Sequence, residues 1–210
     1  MKFPVLLCAV ILASSPVRAA PGDFEAGVRA FFAADMIGAL AAWDRQLADE
    51  PAEKPQHWQR GLALYYAGKF QEGREQFEGH QKVNPQDVEN AAWHFLCVAR
   101  LGNVEAARKA FIPITADPRV PMKEIHALFA GKGTEEAVLK AADAGADPDN
   151  LRNQRCYAHL YLGLYHEALG DAAKAKEHLM KAAGEFKMNH YMGRVAQVHV
   201  KLRGWTVGEK

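Results

Sequence analysis

Residues 159–184 read HLYLGLYHEALGDAAKAKEHLMKAAG, and this stretch decides the fold. Apolar residues recur every three or four positions on both sides of Gly170 and Asp171, as on the buried faces of two amphipathic helices. Gly170 permits the turn between the helices, and Asp171 is a residue type that caps a helix N-terminus. The stretch therefore predicts a pair of antiparallel helices, which cannot bury its apolar face without a neighbouring pair.

The same pattern recurs upstream with a period of 34 residues. One position holds a small residue in every unit: Ala175, Ala141, Ala107, Gly73 and Ala39. Four residues later a large apolar residue stands in four units of five: Leu179, Gly145, Phe111, Phe77 and Trp43. Two further positions are rich in glycine. The first holds Gly170, Glu136, Gly102, Gly68 and Ala34. The second holds Gly163, Phe129, Phe95, Gly61 and Gly27. A small residue lets a second helix approach, and a large residue one turn away fills the space beside that contact.

These positions resemble the tetratricopeptide repeat, a 34-residue helix pair. The matching residues are Gly61, Gly68, Phe70, Gly73, Phe77 and Pro85, then Gly102, Ala107 and Phe111, and finally Leu162, Gly163, Gly170, Ala175, Leu179 and Ala182. The resemblance implies an all-α protein, a right-handed α-solenoid of about five antiparallel helix pairs. The fourth unit departs from the pattern at Glu136 and Gly145, so we expect an irregular pair there.

The N-terminus has the features of a bacterial secretory signal. Lys2 precedes a nine-residue apolar run, and Val17 and Ala19 suit positions −3 and −1 of a cleavage site after Ala19. The run is much shorter than the roughly 20 residues that cross a bilayer. We therefore predict a signal peptide at residues 1–19, a periplasmic or secreted location and no stable membrane insertion. Export and repeats together are similar to periplasmic tetratricopeptide adaptors of the NlpI type.

Residues 20–210 are predicted to form one helical repeat domain. Its units are expected at about 20–53, 54–87, 88–120, 121–148 and 149–188, with a C-terminal capping helix at 189–203. The predicted helices are 23–33, 36–48, 54–67, 70–83, 86–100, 103–115, 121–130, 134–144, 149–169, 172–186 and 189–203. A cap is expected because a terminal layer otherwise exposes its apolar face. The segment from Pro113 to Pro121 is predicted to be a hinge or a register adjustment.

The predicted function is to bind a protein or peptide partner. The formal net charge is +1 without long runs of one sign, which disfavours a nucleic-acid surface. The resemblance implies that the first helix of each pair lines a concave groove. Candidate groove residues are Trp58, Leu62, Tyr65, Trp93, Leu96, Arg100, Tyr157 and Tyr161. Aromatic residues and arginine anchor interfaces. Packing in the core is the favoured interpretation of each aromatic residue alone, whereas for the set as a whole packing and recognition are nearly balanced.

Catalytic motifs are missing from the sequence. It contains no Gly-x-Ser-x-Gly turn, no phosphate-binding glycine loop and no His-Glu-x-x-His zinc motif. We therefore expect a non-catalytic adaptor or scaffold that needs no cofactor. Self-association through an exposed edge of the array is a further possibility.

Histidine and cysteine suggest the alternative function, metal binding. Cys156 and His159 are three residues apart on one predicted helix, and His166, His178 and His199 are candidates to approach one another across the last three helices. A histidine hydrogen-bonded within the core is the favoured interpretation of each. Cys97 and Cys156 fall two units apart, so their Cα atoms should be roughly 15–20 Å apart. A disulfide needs less than about 7 Å, and we predict two buried thiols instead.

Overall fold

The computed structural model describes residues 22–145 and 147–206 of the 210-residue chain. Within these residues the fold is all-α, with eleven α-helices, one short 3₁₀ helix at Pro51–Gln56 and no strand. The helices are α1 (Asp23–Phe32), α2 (Met36–Asp49), α3 (Trp58–Tyr66), α4 (Phe70–His80), α5 (Val88–Leu101), α6 (Val104–Lys109), α7 (Met122–Phe129), α8 (Glu135–Ala142), α9 (Pro148–Ala168), α10 (Ala172–Ala183) and α11 (Tyr191–Leu202). The predicted signal peptide lies outside the described residues.

Helices that follow one another in the chain pack as pairs, from α1 with α2 to α9 with α10. In three pairs a glycine of the first helix touches a large side chain of the second. These contacts are Gly27 with Trp43, Gly61 with Phe77 and Gly163 with Leu179. A Cβ atom added to these glycines would lie 2.2, 2.6 and 2.5 Å from the facing side chain. The glycine and its partner are 16 residues apart in each of the three contacts. The repeating position that holds Gly163 in the last unit therefore touches the repeating position that holds Leu179.

The third pair keeps the same contact with different residues. Phe95 and Phe111 are also 16 residues apart, and their rings meet edge to face with 5.8 Å between centroids. Phe111 lies beyond the end of α6, which stops at Lys109 although residues 103–115 were predicted to be helical. Pro113 explains the early end, because it disfavours helical dihedrals at Ile112 and cannot donate a backbone hydrogen bond.

Most of the other predicted helices are confirmed with small shifts at their ends. The largest shift is at residues 51–56, where two prolines accompany a 3₁₀ helix and α3 begins only at Trp58. Asp171 caps α10 as predicted, because its carboxylate accepts a hydrogen bond from the Lys174 amide at 3.1 Å. The cap of α9 is Asp147 instead of the expected Asp149.

The segment from Pro113 to Pro121 is fixed along the start of α5. Gln86 Oε1 accepts hydrogen bonds from the backbone amides of Thr115 and Ala116 at 3.0 and 2.9 Å. Asp117 Oδ2 accepts one from the Val88 amide at 3.1 Å. The predicted break in the helical pattern is therefore a tethered connection between α6 and α7.

The C-terminal helix α11 packs on α9 and α10 and also reaches α1. Tyr191 packs against Phe32 and Trp58, with 4.7 and 4.8 Å between ring centroids. Further along α11, His199 Nδ1 lies 3.1 Å from the Tyr66 hydroxyl. Helix α11 therefore packs on the last helix pair, as expected of a cap, and also joins that pair to the first two pairs.

Two further predictions concern the core and the membrane. Cys97 and Cys156 are buried free thiols, as predicted, and burial raises the pKa of Cys156 to about 12. Residues 22–145 and 147–206 include no helix that is long and apolar enough to cross a membrane.

We expect Gly163→Ala to lower the free energy of unfolding by about 1–3 kcal/mol, because its new Cβ would collide with Leu179 and approach the α10 backbone within 3.1 Å. Gly79→Ala is the matched control, since Gly79 lies within α4 and no heavy atom lies within 4 Å of its added Cβ. This variant should equal or exceed the wild-type stability. Urea denaturation followed by circular dichroism measures both, and equal stability of Gly163→Ala would contradict the close contact.

Candidate functional site

The predicted groove residues do not form one open surface. Arg100 is exposed, whereas Trp58 and Tyr157 are half-buried. The other five are buried: Leu62, Tyr65, Trp93, Leu96 and Tyr161. Most of the predicted groove is therefore interior in this structure.

Helix α11 runs between two pockets that contain predicted groove residues. The first, called the Trp58–Trp93 pocket, has a volume of about 210 Å³ and includes His190 and Met192 from the start of α11. The second has a volume of about 200 Å³ and places Tyr65 and Arg100 near the end of α11. The two openings lie near opposite ends of this helix.

Two polar atoms of the Trp58–Trp93 pocket residues have no hydrogen-bond partner. They are Nε1 of Trp93, a donor, and Oδ1 of Asn90, an acceptor, and both atoms are buried. The Asn90 side chain is held in place because Nδ2 donates to the Phe77 carbonyl at 3.2 Å and to Gln81 at 2.9 Å. Buried polar atoms normally have a partner, so this pair suits a ligand that offers both an acceptor and a donor.

A buried carboxyl group forms one wall of this pocket. Glu89 Oε2 accepts a hydrogen bond from the Tyr161 hydroxyl at 2.6 Å, and Oε1 pairs with Arg119. Burial raises the pKa of Glu89 to about 7, although the Arg119 charge opposes this shift. Because both carboxyl oxygens have partners within the chain, Glu89 links α5, α9 and the connection before α7.

Sequence reasoning missed Glu89 and Arg119 as site residues. One signal was present, since Glu89 stands four residues before Trp93 and so shares a face of α5 with a buried aromatic ring. No comparable signal marks Arg119, because two of its three carboxylate partners, Glu89 and Asp87, lie 30 and 32 residues away in the chain. Tyr161, predicted to line the groove, instead uses its hydroxyl to hold Glu89.

A second polar cluster lies between α8, α9 and α10. His166 Nε2 is 2.8 Å from Glu135 Oε2, and His178 Nε2 is 3.2 Å from Glu135 Oε1. His159 lies behind them, with its Nδ1 atom 2.8 Å from Nδ1 of His178. Cys156 faces elsewhere, with its sulfur 3.5 Å from the Ala182 carbonyl oxygen. The structure thus groups three of the candidate histidines, His159, His166 and His178, and adds Glu135, whereas Cys156 lies apart.

The pKa values of one acid and two histidines of this cluster lie below their ordinary values. Burial lowers the pKa of His159 to about 4 and also lowers that of His178. Burial alone would raise the pKa of Glu135, but hydrogen bonds from His166 and Lys174 lower it to about 2. At neutral pH the cluster therefore holds a carboxylate beside the neutral imidazoles of His159 and His178.

Comparison with known proteins adds one finding: no protein-family model matches the sequence.

We expect Glu89→Gln to change how stability depends on pH between about 4.5 and 7. In this range the folded wild type keeps a proton on Glu89 that the unfolded chain releases, so this group lowers stability as the pH rises. The difference in slope from wild type should reach at most about 1.4 kcal/mol per pH unit. Urea denaturation at several pH values measures it, with the exposed Glu185→Gln as control. Parallel wild-type and Glu89→Gln profiles would mean that folding leaves the Glu89 pKa unchanged.

Proposed function

We propose that this chain is an exported, non-catalytic adaptor that holds a peptide segment of a protein partner in the Trp58–Trp93 pocket. The proposal includes a tetratricopeptide-like α-solenoid as the scaffold, with export by the N-terminal signal. The 34-residue spacing and the glycine contacts between paired helices support the scaffold. The observation that carries the proposal is the pair of unsatisfied polar atoms beside two tryptophans.

The size of the pocket favours a peptide side chain over a whole small molecule. Its volume of about 210 Å³ lies below the roughly 300–1,000 Å³ of pockets that enclose drug-sized ligands and cofactors. One large apolar or aromatic side chain is a better match for this space. The half-buried Trp58 ring offers the exposed aromatic surface that dominates binding energy in many interfaces.

The polar atoms of the pocket match peptide backbone. A peptide group carries a carbonyl that accepts a hydrogen bond and an amide that donates one. The carbonyl would accept from Trp93 Nε1, and the amide would donate to Asn90 Oδ1. Both atoms are buried in the free chain, so a peptide would reach them after neighbouring side chains move, and each bond would then satisfy an atom that has no partner.

The buried Glu89 supports the adaptor proposal over an enzymatic one. A carboxyl group with a raised pKa in a pocket is a common feature of catalytic acids. Here one oxygen is bound by a tyrosine and the other by Arg119, so neither oxygen is available to a substrate without breaking a contact. We therefore assign Glu89 the role of holding the pocket wall in place.

Trp58→Ala should weaken binding of peptides selected against the wild-type chain by about 30-fold or more, the loss typical of an interface hot spot. Trp205→Ala is the control, because Trp205 is also a half-buried tryptophan but lies near a different pocket. Peptides are selected from a displayed library with the processed protein, and their Kd values are measured by fluorescence anisotropy. Circular dichroism and Tm establish that both variants are folded.

Two results would overturn the proposal. Failure to enrich any peptide on the wild-type chain would remove the peptide as ligand, and equal Kd values for wild type and Trp58→Ala would remove the pocket. Light scattering on the same samples tests self-association. A wild-type dimer that Trp58→Ala converts to a monomer would make a second copy of the chain the occupant of this surface.

A further inference from the structure

Three side chains with metal-binding atoms converge from three different helices. Glu135 begins α8, His166 lies near the end of α9 and His178 lies within α10. One ligand atom from each lies within 4.8 Å of the other two. The two histidines contact the Glu135 carboxylate although they lie 31 and 43 residues after it in the chain. None of the three residues lines the proposed peptide pocket.

The donor set suits a first-row divalent metal ion. Two imidazole nitrogens and one carboxylate oxygen are ligands that zinc accepts at about 2.0–2.2 Å, with a fourth position left for water. Ligand atoms around a tetrahedral ion at that distance are roughly 3.3 Å from one another. His166 Nε2 lies 2.8 Å from Glu135 Oε2, His178 Nε2 lies 3.2 Å from the other oxygen, Oε1, and one ligand atom from each residue lies within 4.8 Å of the other two. An ion could therefore take the place of these two hydrogen bonds with small side-chain movements, once each neutral imidazole carries its single ring proton on Nδ1 and leaves Nε2 free to bind the ion.

His159 provides the support that a ligand histidine needs. If His178 Nε2 binds a metal, the ring proton resides on Nδ1, and Nδ1 then donates to Nδ1 of His159 at 2.8 Å. The His159 ring is stacked on Phe186 with 5.1 Å between centroids, which fixes its orientation.

An ion has a route to the cluster from solvent. Glu135 is partly exposed and lines a broad depression of about 640 Å³ on the surface between α8 and α10. The Lys174 ammonium group lies 3.2 Å from Glu135 Oε2 on the same side. Since about half of the Lys174 side chain is exposed, it can turn into solvent when a metal supplies the positive charge.

We propose that Glu135, His166 and His178 form a binding site for a divalent transition-metal ion of the zinc class. The ion would connect α8 of the irregular fourth pair to α9 and α10 of the last pair. Its stabilisation would be specific to the folded chain, because the three ligands are adjacent only after these helices pack. This site is independent of the peptide pocket and of its test.

The test uses the processed protein purified without a histidine tag and stripped with a chelator. Calorimetric titration with zinc chloride should show one ion per chain, and the Tm should rise with zinc concentration. Cobalt chloride should give the intense visible absorption of a tetrahedral site. Glu135→Gln should raise the Kd for zinc at least about tenfold and abolish the cobalt spectrum. His178→Gln should do the same.

The chain contains a matched control pair. Glu78 accepts hydrogen bonds from the buried His94 at 3.3 Å and from Arg74 at 2.9 Å. Glu135 likewise accepts from histidine and lysine, but it contacts two histidines, whereas Glu78 contacts one. Glu78→Gln and His94→Gln should therefore keep the wild-type Kd within about twofold. These variants also report any general effect of losing a histidine–glutamate contact on folding.

The titrations distinguish a metal-binding site from a cluster of side chains that only form hydrogen bonds with one another. Absence of stoichiometric zinc binding by the wild type, or equal binding by Glu135→Gln, would show that the cluster is a hydrogen-bonded contact only. If His178→Gln fails to fold, Glu135→Gln decides, because that carboxylate is partly exposed and its amide keeps the same shape. Loss of binding in the Glu78→Gln control as well would place the ion elsewhere and overturn the proposal.

Discussion

The close approach of paired helices is the constraint on which the rest of the structure depends. Gly27, Gly61 and Gly163 have no Cβ, and a large side chain of the following helix occupies the space that a Cβ would take. This contact brings the two helix axes together and covers an apolar surface that neither helix could bury alone. The same contact recurs in the first, second and last of the five pairs.

The position of α11 follows from what these pairs leave uncovered. First helices of the pairs present Trp58, Tyr66 and their neighbours, and α11 contributes Tyr191 and the buried His199 to the same interface. Such a helix buries aromatic surface that would otherwise face water. The surface therefore has two pockets near the ends of α11 instead of a continuous groove. For the proposed adaptor, this arrangement favours a short peptide over a long bound helix.

The buried Glu89 and the partly exposed Glu135 show how the donor type decides what a polar cluster can do. Glu89 is held by Arg119, whose guanidinium group keeps its protons at any physiological pH, and by a tyrosine hydroxyl. Glu135 contacts two imidazoles, and a neutral imidazole can bind a metal ion through one ring nitrogen while the other carries the proton. The first cluster is thus suited to fixing a wall of the pocket, and the second to holding an ion between helices.

The sequence by itself determined the helices, their pairing and the buried thiols, because these depend on residues a few positions apart or on a regular spacing. Helical periodicity, the Asp171 cap and the columns that place Gly163 against Leu179 are all of this kind. Only the tertiary structure decided where α11 lies, since Tyr66 and His199 meet across 133 residues with no pattern that links them. The same holds for Glu135, which became a candidate ligand only when α8 packed beside two histidines from other helices. Local periodicity specifies which face of a helix is buried, whereas the partner that buries it is chosen by competition among all apolar surfaces of the folded chain.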